Sequence, residues 1–213
     1  QKSLEETYDS MYETYCRIFE RTALIFKAVI ADTGSIGGNI SHEFHVLAES
    51  GEDAIVFSDK SDYAANMEKA SSPPPHSPSS GPLDQIKEIS TPNAKTIDDV
   101  CNQLKIESSQ IVKTLIFQHQ NDIEARGLLA FVVRGDHQLN EVKARSILEA
   151  GNNLTMASDQ QIKDSFSCSA GSLGPVGLEM RIIVDHCAAN LHSFICGSNR
   201  EGYHLTGANW SRD

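Results

Sequence analysis

Three short segments of this 213-residue sequence combine residue types that can act on an anionic or carbonyl ligand. The first is RGDHQLNEVKA (134–144), in which His137, Asn140 and Lys143 lie around a predicted strand-to-helix turn. Such a turn places backbone N–H groups and polar side chains at one edge of a sheet, where ligands of this kind are often held. The same residues also suit a helix cap with a solvated face, so the segment alone leaves both interpretations open.

The other two segments are a strand that carries a lysine and a bend that is rich in glycine. In IVKTLIF, strand alternation places Lys113 on a face with apolar residues, where a lysine either extends to the sheet edge or serves a site. The bend GSLGP runs from Gly171 to Pro175. Its backbone can turn closely around a ligand and offer N–H groups to a carbonyl oxygen, although a plain connection between elements explains it equally well.

Three other patterns lack the features of the sites that they resemble. HEFH (42–45) does not have the spacing of a zinc protease, and histidines three apart on a strand point to opposite faces, so we expect no metal there. GSIGG (34–38) does not have the glycine spacing of a dinucleotide site. Asp185 and His186 have no G-x-S-x-G nucleophile to complete a triad.

Composition limits the classes of function. The formal net charge of −11 argues against a protein that binds nucleic acid along a long basic surface, but not against one that grips only the end of a nucleic acid. The five cysteines form no C-x-x-C pair, and no apolar run approaches the ~20 residues that span a bilayer. We therefore expect a cytoplasmic protein with no membrane partner. Its first and last residues lack start and stop patterns, so we expect a piece of a longer protein.

The elements that must position these segments fall into two groups. Residues 3–21 predict an amphipathic helix, and three strands follow, so residues 1–65 are interpreted as a helix and an antiparallel sheet. The segment 70–82 (ASSPPPHSPSSGP) holds five of the seven prolines and is typical of an exposed linker. Beyond it, strands alternate with short helices, which predicts an α/β (α+β) fold with a mixed β-sheet covered by helices. The predicted helices are 96–106, capped by Thr96 with Asp99; 140–150, with Asn140 as its N-cap; and 158–167, with Ser158 or Asp159 as its cap. The predicted strands are 109–119, 125–135, 178–186, 193–199 and 203–209.

The order of these motifs carries a resemblance. Residues 31–70 (ADTGSIGGNISHEFHVLAESGEDAIVFSDKSDYAANMEKA) closely resemble a segment of the class II catalytic domain of bacterial-type prolyl-tRNA synthetase. TPNAKTIDD, IVKTLIF, RGDHQLNEVKA, GSLGPVGL and GANWSRD then follow in the order found in that enzyme's inserted, YbaK-like editing domain. The resemblance implies a catalytic-domain segment, a linker, an editing domain and a return to the catalytic domain, at 1–68, 69–82, 83–202 and 203–213.

The resemblance also implies an activity and its partners. The parent enzyme would attach proline to tRNA(Pro) with ATP and Mg²⁺ and would be a homodimer, and this piece alone is not expected to aminoacylate. Its editing domain would bind the acceptor end of tRNA(Pro), distinguish alanine from proline and hydrolyse mischarged alanyl-tRNA(Pro) without a cofactor or metal. Two alternatives stay open: a non-catalytic module that binds the acceptor end, and a free-standing deacylase, against which residues 1–65 argue.

The same resemblance assigns roles to individual residues. The lysine of the strand and the Gly-x-x-x-Pro bend form the expected catalytic set: Lys113, Gly171, Ser172, Leu173, Gly174 and Pro175. In this interpretation the lysine contacts the terminal phosphate or ester, and the bend supplies N–H groups and the size limit. The expected contacts with the tRNA end are Asp136, His137, Asn140 and Lys143. Glu43 is expected in the wall of the aminoacylation site.

Overall fold

The computed structural model describes residues 2–34, 38, 40–73, 84–119, 127–148 and 154–213. The chain divides into two units, Gln1–Ser72 and Pro73–Asp213. The boundary between them lies inside the segment 69–82 that the sequence predicts to be a linker, although most of that segment is outside the described residues. In the described ranges no helix is long and apolar enough to cross a membrane.

The first unit consists of one long helix and a small sheet. Its elements are α1 (Lys2–Arg21), β1 (Phe26–Ile30), β2 (His42–Val46), β3 (Ile55–Phe57) and β4 (Ala64–Asn66). The strand order is β2-β1-β4-β3, and β1 runs antiparallel to β2 but parallel to β4. The predicted antiparallel pairing is present between β1 and β2 and between β3 and β4, whereas the parallel pairing of β1 with β4 was not predicted, because no local pattern in the sequence encodes it.

Aromatic side chains connect α1 to the sheet of the first unit. The ring of Phe19 lies 5.1 Å from that of Phe26 and 5.7 Å from that of Phe44, between centroids. Stacked pairs of this kind contribute about 0.5–1.5 kcal/mol each beyond the area they bury. Other apolar residues of α1, such as Met11 and Ile18, remain exposed. The helix predicted at 3–21 is present, and its apolar stripe is only partly covered within this unit.

The second unit has two sheets with helices packed against them, as the predicted fold class requires. The sheets have the strand orders β8-β6-β7-β9 and β10-β11-β5. The strands are β5 (Lys87–Ser90), β6 (Val112–His119), β7 (Leu128–Arg134), β8 (Leu154–Met156), β9 (Ile182–Val184), β10 (Phe194–Gly197) and β11 (Tyr203–Ala208). The helices are α2 (Ile97–Leu104), α3 (Glu141–Ile147), α4 (Asp159–Phe166) and α5 (His186–Ala189). The prediction of a mixed α+β fold is confirmed, whereas β5, β8 and α5 were missed.

Strands β6 and β7 form the centre of the larger sheet. The LLAFVV segment of β7 is buried along its whole length, which is typical of a strand covered on both faces. On one face, Ile116 and Ala130 share a core cluster with Leu173. On the other face, Phe117 meets Phe131 edge-on, with 5.5 Å between ring centroids, in the cluster that α3 covers. The two faces of this strand pair therefore pack against different parts of the chain.

The helices of the second unit begin where their capping residues predict. The Thr96 hydroxyl accepts from Asp99 N–H, and the Asp99 carboxylate accepts from Thr96 N–H, which completes a capping box. Ser158 and Gln161 form the same box at the start of α4. Asn140 caps α3. Each cap contributes roughly 0.5–2 kcal/mol and fixes where the chain enters the helix.

The end of the chain lies elsewhere than the sequence analysis placed it. Residues 203–213 were expected to return to the catalytic segment, but they belong to the second unit. Strand β11 is the central strand of the smaller sheet and pairs antiparallel with both β10 and β5. The physical reason is the long-range pairing of β11 with β5, in which Tyr203 lies opposite Ser90, because no local pattern in the sequence encodes it.

Candidate functional site

The GSLGP bend follows α4 and is almost fully enclosed. It opens with a short 3-10 turn (Ala170–Ser172), in which Leu173 N–H donates to the Ala170 carbonyl at 3.3 Å. Ser172 and Leu173 are only 1% and 3% exposed. A buried loop is rare because its polar backbone groups must all find partners, so this bend must be held by the elements around it.

Two glycines of the bend permit very close approaches of neighbouring backbone. A Cβ added to Gly171 would overlap the backbone of Lys95, at the entrance of α2. A Cβ added to Gly174 would overlap the carbonyl oxygen of Gly197, at the end of β10. The bend is therefore clamped between two backbones, and only glycine fits at its contact points.

The turn between β10 and β11 holds the start of the bend through hydrogen bonds. The Glu201 carboxylate accepts from Ser169 N–H at 2.8 Å. This bond is the main cause that holds the pKa of Glu201 below its usual value. Gly202 N–H donates to the Ser172 hydroxyl at 3.3 Å. The smaller sheet thus positions the bend.

A buried polar pair beside this turn was missed by the sequence analysis. Thr91 Oγ1 and His204 Nδ1 lie 2.6 Å apart, and the two residues are 0% and 3% exposed. Thr91 N–H also donates to the Gly202 carbonyl at 2.8 Å. Burial lowers the pKa of His204, which favours the neutral imidazole. A buried histidine with a shifted pKa is typical of functional sites. The burial of His204 could not be predicted from the sequence, because it depends on the pairing of β5 with β11.

The burial of His204 predicts a pH-dependent stability. The pKa of His204 is lower in the folded chain than in the unfolded chain. At pH values below about 6.5, the usual histidine pKa, the unfolded chain therefore binds more protons than the folded chain. The free energy of unfolding should therefore fall as the pH drops through the window below that value. Urea unfolding at several pH values measures this fall. H204N should reduce the slope, whereas H192N, at an exposed histidine, should follow the wild-type curve; equal slopes for all three would contradict the assignment.

Lys113 lies on the opposite face of β6 from Leu173. Its partner across β7 is Val133, and its side chain follows the face that α3 covers. The half-buried ammonium donates to the Gly135 carbonyl at 3.3 Å. Burial lowers the pKa of Lys113, and the nearby Asp136 carboxylate partly opposes that shift. The structure therefore brings the lysine together with the RGDH turn, as a charge only partly shielded by water.

One isolated bridge connects the start of β6 with β10, the strand that contacts the bend. Ile111 and Ile195 form a parallel bridge between β10 and the residue before β6. Lys113 and Gly197 each follow this bridge by two residues in the same direction. Gly197 is also the residue whose backbone touches the bend at Gly174. The bend therefore contacts the end of β10 through Gly197, whereas the ammonium of Lys113 donates to the Gly135 carbonyl in the RGDH turn.

The RGDH turn is organised by an arginine that was not singled out from the sequence. Arg134 forms a two-pronged ion pair with Asp136, at 2.6 and 2.9 Å. This pairing is the main cause that holds the pKa of Asp136 below its ordinary value. The guanidinium also lies 2.9 Å from His137 Nε2. Asp136 and His137 are thus brought together with Arg134 at the end of β7, where the ion pair stabilises the turn.

The parallel strands β7 and β9 end at the same edge, which adds two residues to this cluster. Potential ligand atoms of His137, Asp185 and Cys187 all lie within 4.8 Å of one another. Burial and the Asp185 carboxylate raise the pKa of the Cys187 thiol, so its metal-binding thiolate form is disfavoured. The Arg134 guanidinium meanwhile occupies one ring nitrogen of His137. We therefore assign no ion to this cluster.

The remaining predicted residues have structural contacts. The Asn140 side chain accepts from Lys143 N–H at 3.1 Å, so both belong to the first turn of α3. Glu43, in the first unit, lies 3.0 Å from His45 Nε2 and is half exposed. These contacts neither require nor replace the ligand-binding roles that the resemblance implies, and those roles stay predictions.

The first unit contains an open cleft of about 340 Å³. His42 Nδ1 lies 2.8 Å from the Tyr8 hydroxyl at its edge. The lining is mostly aromatic, which suits binding rather than proton transfer. The lining residues are Tyr8, Met11, Tyr12, Tyr15, Phe19, His42 and Phe44.

Comparison with known proteins decides the family. The sequence pattern that describes the aminoacyl-tRNA editing domain matches residues 91–213, more than half of the chain. The chain belongs to the aminoacyl-tRNA editing domain family. The editing domain includes residues 203–213, in agreement with the position of β11 in the second unit. Of the site residues that the resemblance implies, only Glu43 lies outside the matched part.

Three solved structures are similar to part of this chain. The crystal structure of the hypothetical protein APE2540 has 22% identity and a TM-score of 0.48, covering 57% of this chain and 79% of its own. A candidate trans-editing enzyme for prolyl tRNA synthetase has 20% identity and a TM-score of 0.49, covering 58% and 76%. A scaffold protein used for epitope grafting by computational design has 20% identity and a TM-score of 0.49, covering 59% and 77%.

Proposed function

We propose that this chain is part of a bacterial-type prolyl-tRNA synthetase and that its editing domain hydrolyses mischarged alanyl-tRNA(Pro). Family membership supports action on an aminoacyl-tRNA. The ordered motifs from residue 31 to GANWSRD support the synthetase type and the substrate. The observation that carries the proposal is the clamped bend at 171–175, because a site that selects by size needs a wall that cannot move.

The selectivity problem explains why a second site is useful. A pocket shaped for proline cannot strongly reject the smaller alanine, since each lost methylene is worth only about 1–3 kcal/mol. A second pocket that admits a methyl side chain but not a pyrrolidine ring can remove the alanyl ester after it forms. A rigid bend, enclosed by backbone on two sides, is suited to set that limit.

The bend acts in this proposal as a wall and not as a source of hydrogen-bond donors. The resemblance implies that the bend offers N–H groups to the ester carbonyl. The N–H groups of residues 172–174, however, already donate inside the domain, at distances from 2.9 to 3.3 Å. Using them for a ligand would break bonds in a buried loop at about 1–3 kcal/mol each. In this proposal we therefore use the bend only for its size limit, and the donor role that the resemblance implies stays a prediction.

Lys113 is the group that we propose to stabilise charge. Hydrolysis needs an oriented water and a positive or dipolar group near the oxygen on which negative charge develops. The Lys113 ammonium is half-buried, so its field is screened less than that of a surface lysine. It would act on the ester or on the phosphate of the terminal nucleotide. No covalent intermediate on the protein is needed.

The first unit carries the rest of the proposal. Residues 1–68 would form part of the catalytic domain that activates proline with ATP and Mg²⁺ in a homodimeric parent enzyme, with Glu43 in the wall of that site. Ester hydrolysis by the editing domain uses neither ATP nor the metal. The two activities can therefore be tested separately.

Deacylation by the whole 213-residue chain tests the proposal. The chain is incubated with alanyl-tRNA(Pro), with prolyl-tRNA(Pro) and with buffer alone, and the remaining aminoacyl ester is measured over time. We expect rapid loss of the alanyl ester and a prolyl ester that decays at the buffer rate. A chain that binds the tRNA but leaves both esters at the buffer rate would be a binding module, and the proposal would be wrong.

A further inference from the structure

One asparagine bonds to the bend at three places. Asn199 N–H donates to the Ser172 carbonyl at 2.9 Å. Its side-chain oxygen accepts from Gly174 N–H at 2.9 Å, and its side-chain nitrogen donates to the Val176 carbonyl at 2.8 Å. The three bonds reach every second residue from 172 to 176, so one residue spans most of the bend and the turn that follows it.

The chemistry at this position suits an asparagine. Its amide offers a donor and an acceptor together, which neither aspartate nor an apolar residue can do. Its backbone has a φ of +58°, in the left-handed region that asparagine tolerates better than most residues. Asn199 thus meets a backbone requirement and two side-chain requirements at once.

A backbone contact close to Asn199 restricts movement of the bend towards β10. Gly197, two residues earlier, touches Gly174 with backbone on backbone. The Gly197 contact prevents the bend from moving inwards, and the Asn199 bonds prevent it from moving away. Without the amide, two of the three bonds would be lost and outward movement would become possible.

We infer that Asn199 is the positioning residue that sets the size limit of the editing pocket. This inference rests on the proposed function and deepens it. Discrimination between a methyl side chain and a pyrrolidine ring depends on displacements below about 1 Å, on which reaction geometry is known to depend strongly. Loosening the bend should therefore affect the choice of substrate more than the rate on the correct one.

The test is the N199G variant of the whole chain. Glycine accepts the same positive φ without strain and keeps the bond from the backbone N–H, so only the two amide bonds are removed. The ratio of kcat/KM for alanyl-tRNA(Pro) to that for prolyl-tRNA(Pro) should fall about tenfold, chiefly because the prolyl ester becomes a substrate; tenfold corresponds to about 1.4 kcal/mol.

A second asparagine provides a matched control. The buried Asn209 accepts from Ser193 N–H and donates to the Gly207 carbonyl, at 2.9 and 3.0 Å, away from the bend. N209A, like N199G, should have a lower free energy of unfolding in urea. It should keep the wild-type ratio of kcat/KM for alanyl-tRNA(Pro) to that for prolyl-tRNA(Pro). An N199G variant that folds and keeps the ratio would overturn the inference. A wild-type chain that hydrolyses neither ester would instead refute the proposed function itself.

Discussion

Replacing Gly174 by alanine is expected to lower the deacylation rate of alanyl-tRNA(Pro) by about 100-fold, the usual effect of a misplacement of about 1 Å in a reacting geometry. The added Cβ would overlap the Gly197 carbonyl oxygen, which belongs to rigid backbone and not to a flexible side chain. Either the bend or the end of β10 must shift. Overpacking of this kind typically also costs about 1–3 kcal/mol of stability. Deacylation kinetics together with urea unfolding measure both effects.

Gly177 provides the control for this change. It lies two residues beyond the bend, has a φ of +76°, and a Cβ there would meet nothing within 4 Å. G177A therefore carries the backbone penalty of about 1 kcal/mol for a left-handed residue without a steric conflict. We expect it to lose some stability but to deacylate at nearly the wild-type rate. A G174A variant with the kinetics of G177A would show that the clamped contact does not shape the site.

Replacing Lys113 by methionine is expected to lower kcat for alanyl-tRNA(Pro) by about 100-fold or more, as when a group facing developing negative charge is removed. Methionine keeps most of the apolar stem, so the face covered by α3 should stay packed. The free energy of unfolding should not decrease, because a half-buried charge with a lowered pKa is removed. Single-turnover kinetics isolate the chemical step from tRNA binding.

The matched control is the exposed lysine of β5. K87M removes the same charge from the same unit, so it reports the general electrostatic contribution to tRNA binding. It should leave kcat unchanged. If K113M kept both the wild-type rate and the wild-type preference for alanine, Lys113 would have no part in the site.

Local chemistry could be predicted from the sequence because a few adjacent residues determine it. The capping pairs at Thr96 and Ser158 and the cap at Asn140 each act within four residues, and the structure confirms all three. The strand β7 could also be predicted from the sequence, because its apolar residues are contiguous. The glycines of the bend also pointed to close backbone contacts, although not to the backbones that make them.

Long-range contacts could not be predicted from local patterns. The Thr91–His204 pair depends on two strands that are far apart in the sequence, and neither residue looks unusual among its neighbours. The partners of the bend could not be predicted for the same reason, because Asn199, which accepts from Gly174 N–H, is supplied by a turn that follows β10. Lys113 was assigned correctly to one face of its strand, but its hydrogen bond to Gly135 depends on where β7 ends.

The central position of β11 has a consequence for biosynthesis. Strand β5 leaves the ribosome more than a hundred residues before the partner that it must pair with. Until then, the backbone groups of β5 have no neighbouring strand in their final arrangement. Such distant pairing is slow because the entropy of closing a long loop is lost before any stabilising contact forms. The turn between β10 and β11 holds the bend at 171–175. Its contacts with the bend should therefore be among the last in this domain to form.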